Sequence, residues 1–278
     1  MTGLDARPAI QLSFKDQLAQ TETFKGPGGT VIKFATAMPE LVSNPRPVVV
    51  LPAYTKSIRD MMPLTQTVFD LGRPTIGLHF VDQGTRRNGN PYRVDHYPET
   101  YDREAADAVA LLTELRYGIV DVVAPSHAAV IAPKMAIQTH NADSGPKINN
   151  MLLINPGGLI LGDTVSALQN RTYEMMVGNG LITQPVADRL LSESVTQEDA
   201  VLPYTGELLR GLAFAGHGIA VLVAENDPIF PAEQVKSNLI FPGAADTHDF
   251  IGTVPGGHFN FLGQDYTTFA QNALLVLR

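Results

Sequence analysis

Short apolar, β-branched segments alternate along this 278-residue chain with longer segments in which apolar residues recur at helical spacing. This alternation is typical of an α/β protein with a largely parallel sheet flanked by helices. We predict eight strands, over residues 21–26, 30–38, 47–51, 75–81, 119–124, 148–155, 219–224 and 249–253. We predict the main helices over residues 59–71, 101–116, 128–139 and 266–277.

One long segment interrupts the alternation. Residues 158–217 contain no convincing strand, only short helical patterns separated by glycine and proline. Such a segment is too long to be a loop inside a compact domain. We therefore predict an α/β core, formed by residues 1–157 and 218–278, with a helical cap insertion over residues 158–217.

Composition excludes several classes of protein. The chain has no cysteine, which rules out a disulfide scaffold, a cysteine-ligated metal site and a cysteine nucleophile. Its net charge of −8 argues against a nucleic-acid partner or an anionic membrane surface. We see no signal-peptide pattern and no apolar run of the ~18 residues that a membrane span needs. We expect a cytoplasmic protein with no membrane span.

The segment of residues 124–128, Ala-Pro-Ser-His-Ala, lies between a predicted strand and a predicted helix. A nucleophile at the end of a parallel strand needs a sharp turn into a helix, with small residues two positions to either side. Ser126 has alanine at both of these positions, where glycine is usual. The segment alone leaves two interpretations open, since Ser126 could also serve only as the N-cap of the helix.

Two later segments supply an acidic residue and a histidine. Asp227 follows the strand predicted over residues 219–224, where it could accept a hydrogen bond from an imidazole. Glu225 is the alternative acid, and the position relative to Pro231 favours Asp227. His258 lies in a glycine-rich segment after the last strand, and the glycines allow that loop to fold back toward the serine.

The order of serine, aspartate and histidine along the chain resembles that of the α/β-hydrolase superfamily, over about residues 21–278. Residues 82–85, Asp-Gln-Gly-Thr, resemble its Asp-x-x-Gly loop, and Asp107 stands where such sequences often carry an aspartate. Residues 225–231 and 257–258 resemble its acid and histidine loops. The resemblance implies an α/β-hydrolase fold: a mostly parallel, eight-stranded sheet flanked by helices, with a helical cap.

The resemblance also implies the chemistry. Ser126 would form an acyl-enzyme, His258 would act as general base, and Asp227 would orient the imidazole. A small-molecule acyl substrate and no cofactor are implied. The first expectation is hydrolysis of a carboxylic ester, lactone or thioester. An acyltransferase, a carbon–carbon bond hydrolase and a non-catalytic ligand-binding member stay open as alternatives, and a homodimer is compatible with the sequence.

A second, fainter resemblance concerns residues 48–54, Val-Val-Val-Leu-Pro-Ala-Tyr, and Asn226-Asp227. These segments are similar to those of intracellular polyhydroxyalkanoate depolymerases. Those enzymes carry a cysteine nucleophile, which this chain lacks. A polyester or oligoester substrate is therefore a minor hypothesis.

The resemblance implies an oxyanion hole built from backbone N–H groups. One donor would be His127, the residue after the nucleophile. The second would come from the loop after the third strand, at Ala53 or Tyr54, because Pro52 has no N–H to donate.

Aromatic and methionine side chains near these motifs are candidates to line a substrate pocket. They are Tyr54, Tyr173, Met175, Met176, Phe230 and Phe259. For the three residues in the predicted cap, packing against the core is an equally open reading. The remaining histidines follow no metal-ligand spacing, so no metal site is expected.

Overall fold

The computed structural model describes residues 13–53, 56–81, 99–140, 142, 144–160, 165–178, 185, 203–239 and 250–260. Within this part of the chain, no helix has both the length and the apolar character needed to cross a membrane. The predicted helix over residues 266–277 lies outside the described residues.

Eight strands form a single sheet. They are β1 (Glu22–Lys25), β2 (Val31–Ala37), β3 (Val48–Val50), β4 (Thr75–Phe80), β5 (Ile119–Pro125), β6 (Lys147–Ile154), β7 (Gly218–Ala224) and β8 (Phe250–Val254). Their order across the sheet is β1-β2-β4-β3-β5-β6-β7-β8. The pairs β1–β2 and β2–β4 are antiparallel, and the other pairs are parallel. The predicted mostly parallel, eight-stranded α/β fold is confirmed.

Seven helices accompany the sheet in the described part of the chain. They are α1 (Phe14–Ala19), α2 (Met62–Asp70), α3 (Glu99–Glu114), α4 (Ala128–His140), α5 (Val165–Gly178), α6 (Pro203–Phe214) and α7 (Ala232–Asn238). Helix α2 packs on β3 and β4, while α4 packs on β5, β6 and α3. The short helix α1 was not predicted, because its six residues span less than two turns and carry little periodic signal.

Both faces of the central strands are buried, which explains why they read as continuous apolar runs. In β3, Val49 packs into the larger apolar cluster with α3 and α4. Val48 and Val50 face the opposite side, in a cluster with Leu64 and Val68 of α2. Successive side chains of a strand point to opposite faces, so every residue of β3 is buried.

A buried ion pair lies at the amino ends of the parallel strands. Arg73 donates to Asp121 at 2.6 Å, and Asp121 also accepts the backbone N–H of Asn150 at 3.0 Å. This contact lies beside an irregularity in the β5–β6 register between Val120 and Val122, so the carboxylate takes the place of a backbone acceptor there.

Two described helices fall within the predicted cap segment. In α6, Leu209 and Leu212 are buried in the large apolar cluster, and the helix packs on α4 and β7. In α5, Arg171 donates to the backbone carbonyl of Ile229 at 2.7 Å, next to the predicted acid. The division into core and cap stays a prediction, with α6 packed as part of the layer that flanks the sheet.

Candidate active site

Ser126 occupies a sharp turn between the end of β5 and the start of α4. Its φ is +55°, a left-handed conformation that is uncommon in residues other than glycine. Hydrogen bonds hold this conformation: its N–H donates to Ile154 at 2.8 Å, and its carbonyl accepts from Ala129 and Gly157, both at 3.1 Å. Strained backbone of this kind costs about 1–3 kcal/mol and is found at functional sites. The turn therefore presents the Ser126 side chain at the carboxyl end of β5.

The surroundings of this turn leave room only for small residues. Ala124 and Ala128, the two flanking alanines, are fully buried. A Cβ added to Gly157 would lie 3.2 Å from Cζ of Phe230 and 3.6 Å from the carbonyl oxygen of Ser126. Alanine is thus compatible with the turn where the superfamily more often has glycine, and Gly157 brings the segment after β6 close to the serine.

His258 joins the serine to the aspartate. Its Nε2 lies 2.9 Å from Oγ of Ser126, and its Nδ1 lies 2.8 Å from Oδ2 of Asp227. The ring is buried, with the Phe230 ring centroid at 5.4 Å and the Phe259 centroid at 4.9 Å. The structure therefore brings together the three residues that the sequence singled out, although 132 and 31 positions separate the partners of the two contacts.

Asp227 is fixed from two sides. Its Oδ1 accepts the backbone N–H groups of Ile229 at 2.8 Å and Phe230 at 2.9 Å, while Oδ2 faces the imidazole. Both oxygens have partners, so the carboxylate cannot turn away from His258. The alternative acid, Glu225, has an exposed side chain at the end of β7, and its backbone N–H donates to Val254.

The carboxyl end of β3 lies beside that of β5, because the N–H of Leu51 donates to Val123 at 2.9 Å. This places Ala53, which is buried, in the loop next to the strand that carries the serine. His127 is also buried, at the first position after Ser126. Tyr54 lies outside the described residues.

A backbone hydrogen bond joins Lys56 to Ala53, and Lys56 also contacts His79 and Phe259. The Lys56 N–H donates to Ala53 at 2.9 Å, and Nδ1 of His79 lies 3.0 Å from the Lys56 carbonyl. The Lys56 ammonium lies 5.3 Å from the Phe259 ring centroid. Burial lowers the pKa of His79, and the charge of Lys33 adds to this effect.

Of the predicted pocket residues, the two phenylalanines contact the imidazole. In α5, Tyr173 is half-buried, and Met175 is buried within the large apolar cluster. Met176 lies in the same helix, but its side chain is not among those described. For these three residues a role in substrate binding stays a prediction.

Within the described residues, no cluster of three or more His, Asp or Glu side chains could hold a metal ion. His140 and His217 lie 3.3 Å apart, and burial together with the neighbouring His140 lowers the pKa of His217. His96 and His248, two of the histidines for which no metal-binding role is expected, lie outside the described residues.

Asn155, at the end of β6, was not among the residues predicted from the sequence. Its side chain is fully buried and donates to the backbone carbonyl of His258 at 2.7 Å. The only local signal was its place as the last residue of a predicted strand, which does not reveal a contact 103 positions away.

No protein-family model matches this chain, and no curated protein matches its sequence. Solved structures match over most of the chain. A bromoperoxidase from Bacillus anthracis is 14% identical with a TM-score of 0.62, covering 93% of this chain and 99% of its own. An esterase from Thermogutta terrifontis is 16% identical with a TM-score of 0.60, and the match covers 93% of this chain and 100% of the esterase chain.

A third similar structure is a meta-cleavage product hydrolase from Pseudomonas fluorescens, 11% identical with a TM-score of 0.58, covering 92% of this chain and 96% of its own. At these identities the similarity shows a common fold. It does not extend to the reaction or to the substrate.

Proposed function

We propose that this chain, which has the α/β-hydrolase fold, is a serine hydrolase that cleaves a carboxylic ester, lactone or thioester of a small acyl substrate. The observation that carries the proposal is the continuous chain of hydrogen-bond contacts from Ser126 through His258 to Asp227, at 2.9 and 2.8 Å. The names of two similar proteins, an esterase and a meta-cleavage product hydrolase, are consistent with hydrolysis.

The contacts of His258 favour the tautomer that a general base requires. Asp227 accepts hydrogen bonds only, so Nδ1 of the imidazole carries the proton that is donated to it. The other nitrogen, Nε2, then presents a lone pair to the hydroxyl of Ser126. The serine can therefore lose its proton to Nε2 as its oxygen attacks.

The proposed reaction has two halves. The Oγ of Ser126 attacks the carbonyl carbon while its proton moves to Nε2 of His258, which gives a tetrahedral oxyanion. The oxyanion collapses, the bond to the leaving group breaks, and His258 returns the proton to that group. Water then repeats the sequence on the acyl-enzyme and releases the acid. Asp227 stabilises the imidazolium that forms in each half.

The oxyanion needs N–H donors that are in place before the reaction. We assign one to the backbone of His127, at the start of α4, and the other to Ala53 or Tyr54. Backbone donors do not depend on side-chain identity, so the sequence Pro-Ala-Tyr at residues 52–54 is compatible with this function. Ala53 itself has a fixed backbone partner, since its carbonyl accepts the Lys56 N–H, and the Lys56 carbonyl in turn contacts His79.

Carbon–carbon bond hydrolysis is the second candidate, supported by the similar meta-cleavage product hydrolase. It would use the same serine and histidine on a ketone carbonyl instead of an ester. Acyl transfer would share the acyl-enzyme and differ only in the acceptor. A ligand-binding member without turnover would retain the fold and show no activity at Ser126.

The proposal is tested with p-nitrophenyl esters of graded acyl length, acyl-CoA thioesters and lactones. We expect the wild-type protein to hydrolyse at least one class, and Ser126→Ala and His258→Gln each to reduce kcat by roughly 10³-fold or more. Ser237→Ala, which changes an exposed serine in α7, is the matched control and should retain activity. A folded wild-type protein that is inactive on every ester and active on a vinylogous diketone would instead favour carbon–carbon hydrolysis.

A further inference from the structure

Asn155 has an unusual conformation for a buried residue. It follows β6 directly, is fully buried, and has a φ of +46°. Among residues other than glycine, asparagine is one of the few that adopt this left-handed conformation readily. The conformation turns the chain sharply after the strand and directs the side chain toward the ends of the neighbouring strands.

The amide of Asn155 uses both its donor and its acceptor. Its Nδ2 donates to the His258 carbonyl at 2.7 Å and to Oδ1 of Asn260 at 3.0 Å. Its Oδ1 accepts the N–H of Ala224, the last residue of β7, at 2.8 Å. The backbone N–H of Asn155 donates to Leu222 at 2.8 Å. One side chain thus joins the ends of two central strands to the backbone of the histidine.

The loop that carries His258, residues 255–260, needs such an anchor because its two glycines allow many backbone conformations. Gly256 has a φ of +99°, and Gly257 follows it. Glycine leaves many backbone conformations open to the free loop. Asn260 closes the loop locally by donating to the Pro255 carbonyl at 2.8 Å. Asn155 ties the closed loop to the end of β6, and the Asn226 N–H, which donates to Gly256 at 3.0 Å, ties it to the segment after β7.

We propose that Asn155 is a positioning residue for His258, and this inference rests on the proposed hydrolase function. By fixing the carbonyl of His258 against the ends of β6 and β7, it sets the distance from Nε2 to the Ser126 hydroxyl. Its amide cannot be replaced by a carboxylate, because two oxygen acceptors face Nδ2 and a carboxylate offers them no N–H. Glycine would keep the backbone turn and lose every side-chain contact.

The test compares Asn155→Asp with Asn238→Asp. Asn238, in α7, also donates Nδ2 to a backbone carbonyl at 2.7 Å, that of Leu159, so both variants lose the same kind of bond. The probe is a fluorophore-bearing fluorophosphonate, used over a range of concentrations. We expect Asn155→Asp to lower the maximal labelling rate by roughly 10- to 100-fold, with little change in the half-saturating concentration. Asn238→Asp should stay within about threefold of the wild-type rate.

Amide hydrogen exchange over residues 255–260 gives a readout that does not depend on labelling. We expect exchange there to be faster in Asn155→Asp than in the wild type or Asn238→Asp. Equal labelling rates in the two variants, or a loop whose exchange is unchanged, would overturn the inference. If the wild-type protein does not label, the proposed function fails, and hydrogen exchange alone decides the role of Asn155. If Asn155→Asp does not fold, Asn155→Gly takes its place in both measurements.

Discussion

The turn at Ser126 packs closely against Gly157, and Gly157 packs closely against the Phe230 ring. The left-handed turn presents the hydroxyl, and Gly157 allows the next segment to donate to the Ser126 carbonyl. Phe230 fills the space beyond, between Gly157 and the imidazole. A methyl group at position 157 should therefore disturb the site before it disturbs the fold.

We predict that Gly157→Ala reduces the rate of fluorophosphonate labelling by roughly tenfold. The added Cβ would lie 3.2 Å from the Phe230 ring, which must shift toward His258. We expect a stability loss of about 1 kcal/mol, as for mild overpacking. Gly118→Ala is the matched control, because a Cβ there meets no atom within 4 Å. A labelling rate in Gly157→Ala equal to that of the control would show that Phe230 adapts without cost to the site.

At the scale of elements, Asp107 joins helix α3 to the turn between strands β1 and β2. It is fully buried and accepts the backbone N–H groups of Gly28 at 2.7 Å and Thr30 at 2.9 Å. Gly26 is needed for this contact, since a Cβ there would lie 2.1 Å from Cγ of Asp107. The aspartate therefore holds the turn between β1 and β2, which lies beside the carboxyl end of β4 because Ile32 pairs with Phe80.

We predict that Asp107→Ala lowers the free energy of unfolding by about 3 kcal/mol, because the N–H groups of Gly28 and the buried Thr30 lose a charged acceptor. Asp102→Ala, on the same helix, removes an ion pair with Lys134 in which the Asp102 side chain is 62% exposed, and should cost less than about 1 kcal/mol. Urea unfolding measures both. Equal losses of stability in the two variants would show that the contact of Asp107 with the turn between β1 and β2 does not stabilise the fold. In either case we expect the folded Asp107→Ala protein to label with fluorophosphonate at close to the wild-type rate.

All eight strands were predictable to within one residue at each end, because each is an apolar or β-branched run bounded by glycine, proline or polar residues. The resemblance of residues 124–128, 225–231 and 257–258 to the α/β-hydrolase superfamily is confirmed at the level of the fold. The serine, aspartate and histidine could be named because each follows a strand end. Asn155 could not, because its role depends on a positive φ and on contacts with distant segments, which leave no periodic signal.

At the scale of the whole molecule, one buried ion pair and the candidate site lie at opposite ends of the parallel strands. The buried Arg73–Asp121 pair lies at the amino ends of the parallel strands, while Ser126, Asp227 and His258 follow their carboxyl ends. Ligands in open α/β sheets bind at the carboxyl ends, so this division is the one expected for a site of chemistry. Stability and activity should accordingly respond to different substitutions.

We predict that stability falls as the pH is lowered from about 7 toward about 5. Burial lowers the folded-state pKa of His79, and burial with His140 does so for His217. The unfolded chain therefore takes up protons at these two positions at a higher pH than the folded chain, which favours unfolding as the pH falls below about 6.5. Urea unfolding of the double variant His79→Gln, His217→Gln should show a smaller pH dependence. A dependence as steep as in the wild type would rule out these histidines as its source.

The central claim is that Ser126 is a nucleophile activated by His258 and Asp227, and covalent labelling tests it most directly. The protein is incubated with a fluorophosphonate probe, and the adduct is measured by intact mass and located by peptide mapping. We predict one equivalent of probe, attached to Ser126, with no adduct in Ser126→Ala and strongly reduced labelling in His258→Gln. A folded wild-type protein that stays unlabelled, or an adduct on any other residue, would contradict the account.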